Sequence, residues 1–203
     1  MLGPFDGTEY QIKHQLSLVK EKFKIMDSAG NALMAASTPL MSLKKAFHIY
    51  SDEEGSSEIL KIEQHSLMQL HQIYDITDTT SNQLLGQIQY EALKSFMGSR
   101  WKILDPKGQQ IAEVAESTEE RLGNDLLTKG LIPRVYTVSG DEGTLAIYSQ
   151  EFESLILKFS MDFSADTQHK LDRRLGIAAG VMAAGKALEE SRSGEKTGLN
   201  AVV

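Results

Sequence analysis

Cysteine is missing from all 203 residues, which removes disulfides, thiolate nucleophiles, zinc–thiolate sites and iron–sulfur clusters from consideration. That absence fits a reducing cytoplasm. Long apolar runs are also missing: the longest, residues 175–185, spans 11 residues, against the ~20 that a bilayer crossing needs. The chain is therefore read as not transmembrane. The first ten residues carry Gly3, Pro4, Asp6, Gly7 and Glu9 and lack the basic start and apolar stretch of a secretory signal, so no export is expected. Basic charge is in deficit, with 21 Lys and Arg against 28 Asp and Glu and a formal charge of −7. This argues against duplex nucleic acid, because phosphate binding needs a dense basic surface, and no nucleic-acid partner is expected.

Catalytic signatures are absent as well. No Gly-x-Ser-x-Gly elbow, Gly-x4-Gly-Lys loop or Gly-x-Gly-x-x-Gly fingerprint occurs. Adjacent carboxylates such as Glu53-Glu54 and Glu119-Glu120 sit in turn or helix-start contexts, where solvation or helix-dipole complementarity accounts for them. The five histidines, His14, His48, His65, His71 and His169, form no pair at a metal-ligand spacing on one element. The chain is read as non-enzymatic, without cofactor or metal.

What the sequence does contain is a repeat: an aromatic, one residue, a β-branched apolar residue, then an Asp-centred turn that usually includes Gly. It recurs five times, as Phe23-Lys24-Ile25 with Asp27 and Gly30, Phe47-His48-Ile49 with Asp52 and Gly55, Tyr74-Asp75-Ile76 with Asp78, Trp101-Lys102-Ile103 with Asp105 and Gly108, and Tyr136-Thr137-Val138 with Asp141 and Gly143. In the third copy Asn82 stands where Gly is expected. Each copy reads as a strand, a turn whose Asp and Gly supply side-chain capping and positive φ, and a return strand. The aromatics are spaced by 24, 27, 27 and 35 residues, which suits two strands plus connections better than a propeller blade of ~40–45. Residues 10–18 and 154–163 add one strand each, for a closed antiparallel barrel of about twelve strands. Short helical insertions are expected at 91–97 and 118–129, the latter behind Ser117 and Glu120 at capping-box spacing.

From Asp166 the period changes. Residues 175–185 are apolar all round and rich in Gly and Ala, with Gly176, Gly180 and Ala184 four apart. A helix without a polar face is buried on every side, and one this slim fits down a barrel lumen. The rival reading of the same spacing is a membrane dimerisation motif. The domain layout is an N-terminal extension over 1–9, a barrel with its central helix (about 166–189) over 10–189, and a disordered tail over 190–203.

This arrangement resembles the LURP-one-related family of the Tubby C-terminal-like superfamily, which also includes the phospholipid scramblases. The resemblance lies in the Tyr10-Gln11-Ile12-Lys13 opening, the Phe23-Lys24-Ile25-Met26-Asp27-Ser28-Ala29-Gly30 hairpin and the His71-Gln72-Ile73-Tyr74-Asp75-Ile76 stretch, set within residues 10–189. It implies a mainly β fold around a central helix, without a catalytic constellation, in a class whose relatives bind phosphoinositides or are linked to lipid movement. Scramblases carry an acidic calcium-binding segment before their helix. Here the corresponding Asp162, Asp166 and Asp172 are too widely spaced for a compact loop site.

One charge pattern points to a ligand. Lys20, Lys22 and Lys24 alternate and share a strand face, leaving Val19, Phe23 and Ile25 for the other. Lys44 and Lys45 follow in the next connection, and the first 50 residues carry six basic against four acidic residues. A basic side chain near an anionic membrane contributes about 1 kcal/mol. The leading expectation is a cytoplasmic, non-enzymatic domain that binds acidic phospholipid or phosphoinositide head groups reversibly at the membrane periphery through Lys20, Lys22, Lys24, Lys44 and Lys45. Two alternatives stand beside it: a scaffold that binds a protein partner, and a scramblase-like protein whose helix leaves the barrel. The same lysine alternation also serves a solvated outer strand face that resists edge pairing.

Overall fold

The computed structural model describes residues 3–39, 46–65, 71–91, 100–117, 133–153 and 156–199. Five hairpins follow the repeat: β2 (Lys20–Asp27) with β3 (Ala32–Pro39), β4 (Ala46–Tyr50) with β5 (Glu58–Gln64), β6 (His71–Asp78) with β7 (Gln83–Glu91), β8 (Arg100–Leu104) with β9 (Gln110–Glu116), and β10 (Val135–Gly140) with β11 (Gly143–Glu153). Flanking them, β1 (Glu9–Gln15) and β12 (Ile156–Asp162) pair antiparallel and close the ring into a twelve-stranded up-and-down barrel. Closure leaves no unpaired sheet edge.

The repeat is the inner wall. Its aromatics Phe23, Phe47, Tyr74, Trp101 and Tyr136 all point inward, and the β-branched residue two positions later (Ile25, Ile49, Ile76, Ile103, Val138) is fully buried in every copy. Directly after that residue each of the five hairpins shifts register. A bulge bends a strand and tightens its twist, so the same device at the same place in every hairpin curves the sheet towards closure. The turns then run through positive φ at Gly30, Gly55, Gly108 and Gly143, and at Asn82 with φ 54°. Asn82 thus fills the glycine's place, as a residue that tolerates this region.

The turn carboxylates are consumed locally. Asp27 accepts from the backbone and side chain of Asn31 (2.8 and 2.9 Å), and Asp105 from the N–H groups of Lys107 and Gln109 (both 2.8 Å). Asp52 accepts from the N–H groups of Gly55, Ser56 and Ser57, and Asp78 from those of Thr80 and Ser81. These bonds favour the ionised form. The side-chain amide of Asn31, the Ser56 N–H and the Thr80 hydroxyl, respectively, lead in holding Asp27, Asp52 and Asp78 below the usual carboxylate range.

Helix α1 (Arg173–Leu199) enters at this turn end and runs down the lumen. It starts later than residue 166 because the intervening loop satisfies its own amides. Asp166 accepts from the N–H groups of Lys170 and Leu171, His169 takes φ 52°, and Asp172 accepts the Arg174 N–H at 2.9 Å as the helix cap. Burial works against the charge on Asp172, but its bonds to Arg174 outweigh that and its carboxyl stays below the ordinary range. Arg174 also reaches Asp78 at 2.8 Å, tying the helix start to the β6–β7 turn. The buried Arg173 guanidinium lies 4.1 Å from the centroid of the Phe163 ring, a cation–π contact.

Every face of the helix is buried along its apolar part: Leu175, Ile177, Ala178, Ala179, Val181, Ala183, Ala184 and Ala187 all belong to the core. A Cβ on Gly176 would lie 2.5 Å from the Phe163 ring, and one on Gly180 would collide with the Met161 sulfur. The rod is slim because the wall requires it. Tyr148 donates from β11 to the Gly176 carbonyl at 2.8 Å, and burial pushes its phenol well above the usual tyrosine range. Among the described residues no helix is long and apolar enough to cross a membrane.

Three boundaries differ from the sequence reading. The first strand ends at Gln15 rather than 18, and β2 begins at Lys20, so Val19 does not face inward: it lies in the connection and is 80% exposed. Alternation holds only while the chain stays in the ladder, and here it leaves. Helical backbone continues to Leu199, beyond the point at 189 where the tail was expected. Of the helical insertion expected at 91–97, Glu91 is the last residue of β7; the remainder of it, the insertion at 118–129 and the last four residues lie outside the described residues.

Candidate functional site

The three lysines of β2 do share the outer face, for Glu21, Phe23 and Ile25 take the buried alternate positions. Lys44 and Lys45 lie outside the described residues. Barrel closure adds two cations that sequence reading left out of the site. Lys13 of β1 is in register with Lys24 of β2 on one side and with Lys158 of β12 on the other. Three lysines therefore stand side by side across three strands, with Lys22 and Lys20 continuing the field down β2. Like charges directly opposite one another are unfavourable in a sheet. Lys24 is met by Glu53 and Lys158 by Glu151, both at 2.9 Å. No described carboxylate pairs with Lys20 or Lys22. The signal for Lys13 was present in Tyr10-x-Ile12-x-His14, whose parity turns Lys13 outward. Phe159 and Met161 do the same for Lys158.

At the end opposite the tight turns, four residues connect β1 to β2. Leu16, Leu18 and Val19 are 84, 99 and 80% exposed, and among the described residues the only other exposed large apolar side chain is Ile147, at 41%. The nearest carboxylate in the chain, Glu21, is directed away from this tip into the barrel. There it is buried and bonds to His14 Nε2 at 2.9 Å, with the His14 ring packed on Phe23 at 5.6 Å between centroids. Two other histidines also sit beside carboxylates: His48 by Glu58 at 2.9 Å and His65 by Asp75 at 3.0 Å.

The same end holds an aromatic cavity of about 130 Å³ between α1 and the wall, lined by Phe47, Tyr74, Tyr90, Trp101, Met182 and Lys186 among others. The Lys186 ammonium lies 5.4 Å from the Tyr90 centroid, and Tyr90 and Trp101 are 6.1 Å apart. Burial, with the Glu189 carboxylate next in importance, pushes the Tyr74 phenol up to about 12. Phe47, Tyr74 and Trp101 entered the sequence reading only as hairpin markers. Their second role, as lining of a cleft, depends on where the helix leaves the lumen.

Asp162, Asp166 and Asp172, the acidic residues that precede the helix, are each engaged within the chain. Asp162 accepts the Ser164 N–H at 2.7 Å, Asp166 bonds the Lys170 and Leu171 amides, and Asp172 binds Arg174. No curated protein matches the chain. The sequence pattern of the LURP-one-related family matches residues 7–173, which include all twelve strands of the closed barrel. With the repeat, the barrel and the match in agreement, the chain belongs to the LURP-one-related family.

Proposed function

We propose that this barrel is a non-enzymatic, cytoplasmic domain that binds acidic phospholipid head groups reversibly, through the outer lysine face of β12, β1 and β2. The observation that carries the reading is the alignment of Lys158, Lys13 and Lys24 in one cross-strand row, extended by Lys22 and Lys20. The row gathers cations from three strands on one outer face, and an anionic surface complements it. At about 1 kcal/mol per lysine, and less for Lys13, Lys24 and Lys158, which are already engaged within the barrel, the face supplies roughly 3–4 kcal/mol, millimolar attachment. Binding of this strength is peripheral and readily reversed.

The test is co-sedimentation with vesicles containing anionic lipid, at low and physiological salt. Wild-type protein should pellet with anionic but not zwitterionic vesicles, and more so at low salt. Changing Lys20, Lys22 and Lys24 together to Glu should abolish pelleting. Wild-type protein that stays in the supernatant at both salts rejects the reading and directs the search to a protein partner.

A further inference from the structure

We infer that residues 16–19 form an apolar tip that enters the acyl boundary of an anionic bilayer, so that the barrel stands on the membrane with this end down. The inference rests on the head-group reading above and adds depth and orientation to it. Its basis is geometric. Leu16, Leu18 and Val19 project from a four-residue connection with almost their whole side chains in solvent, whereas the rest of the described surface offers one exposed large apolar residue, Ile147 on β11, at 41%. Isolated exposed leucines are ordinary, but a contiguous group is not.

The charges around the tip select the occupant. Lys20 adjoins Val19 and Lys22 follows on the same outer face, while Glu21 is withdrawn into the barrel and held by His14. An apolar end flanked by cations matches an anionic bilayer, whose head groups meet the lysines while its acyl layer takes up the leucines. At the turn end Asp27, Asp52, Asp78, Asp105 and Asp162 lie at or beside strand ends, and Arg174 is paired with Asp78.

The chain has no cysteine, so single labelling sites are clean. Leu18→Cys and, at the other end, Ile147→Cys would each carry an environment-sensitive fluorophore and be mixed with anionic vesicles bearing a quencher in the acyl region. The dye at 18 should shift to the blue and be quenched, while the dye at 147 should stay aqueous. Leu16, Leu18 and Val19 changed together to Ser should weaken vesicle binding on the order of tenfold to a hundredfold, and the residual binding should become fully salt-sensitive. Labelled protein that pellets with vesicles while its dye at 18 stays aqueous overturns the insertion and leaves the head-group reading intact. Failure of wild-type protein to pellet rejects both. A blue shift at 18 without vesicles, with a doubled mass in solution, overturns the inference in favour of a second copy of the chain on the tip.

Discussion

The two ends of the barrel are made from the same strands and finished in opposite ways. At the turn end the carboxylates of Asp27, Asp52, Asp78 and Asp105 are bonded to the backbone of their own turns, and Arg174 joins the helix start to one of them. At the other end stand three exposed apolar side chains, Lys20 and Lys22 with no described carboxylate against them, and an aromatic cleft. One end satisfies itself and the other leaves valence unspent. A surface whose groups are already paired gains little from a partner, so function is sought where pairing is incomplete.

That contrast can be broken in several ways. The largest effect should come from the rod that both ends share. Gly180→Val drives a side chain into the Met161 sulfur and should cost about 3 kcal/mol by urea denaturation; an unchanged midpoint would mean the lumen is not packed to contact. Next is the turn end, where Asp172→Ala removes the helix cap and a partner of Arg174. It should cost about 1–2 kcal/mol without changing vesicle binding. Leu18→Ser at the tip should show the reverse, with stability unmoved and binding weakened. If both substitutions act on the same quantity, the division between the ends fails.

Acid sharpens the comparison. Asp27, Asp52, Asp78 and Asp172 titrate below their unfolded values, so their contribution is complete above about pH 4, the unfolded carboxylate range, and is lost as pH falls through the lower folded values. The thermal midpoint should therefore be level from neutral pH to about 5 and then drop steeply; a midpoint that rises on acidification contradicts the turn-end account. The sign reverses for Tyr74. Its folded value is raised to about 12, so its contribution is complete below about pH 10 and disappears as pH climbs through the folded value. Alkaline melting curves with absorbance at the phenolate band would follow it. The smallest effect belongs to Asn82→Gly. The position already has φ 54°, so the change should stay within roughly 0.5 kcal/mol, whereas Asn82→Val should cost about 1–2.

The inner wall was legible because its determinants are local. An aromatic and a β-branched residue two apart share a strand face, and Asp with Gly or Asn marks the return, so five hairpins can be read without knowing their neighbours. The central helix was legible for a similar reason, since only a buried rod is apolar on all sides. What could not be read is what closure brings together. Lys158 and Lys13 are 145 positions apart and adjoin only because β12 pairs with β1. The tip was missed for want of punctuation: 16–19 contains neither Gly nor Pro, so the alternation was carried through it and Val19 was turned inward. Side-chain pattern records faces while the chain is in a sheet, but it does not record where the sheet stops.

The central claim, that the lysines of three strands act as one surface, is tested most directly by changing only the two that closure contributes. Lys13 and Lys158 altered to Glu, with Lys20, Lys22 and Lys24 intact, would be titrated with anionic vesicles at low salt beside the wild type. The account predicts a loss of binding comparable to that of the β2 triple change, together with a shallower salt dependence. Binding indistinguishable from wild type would contradict it.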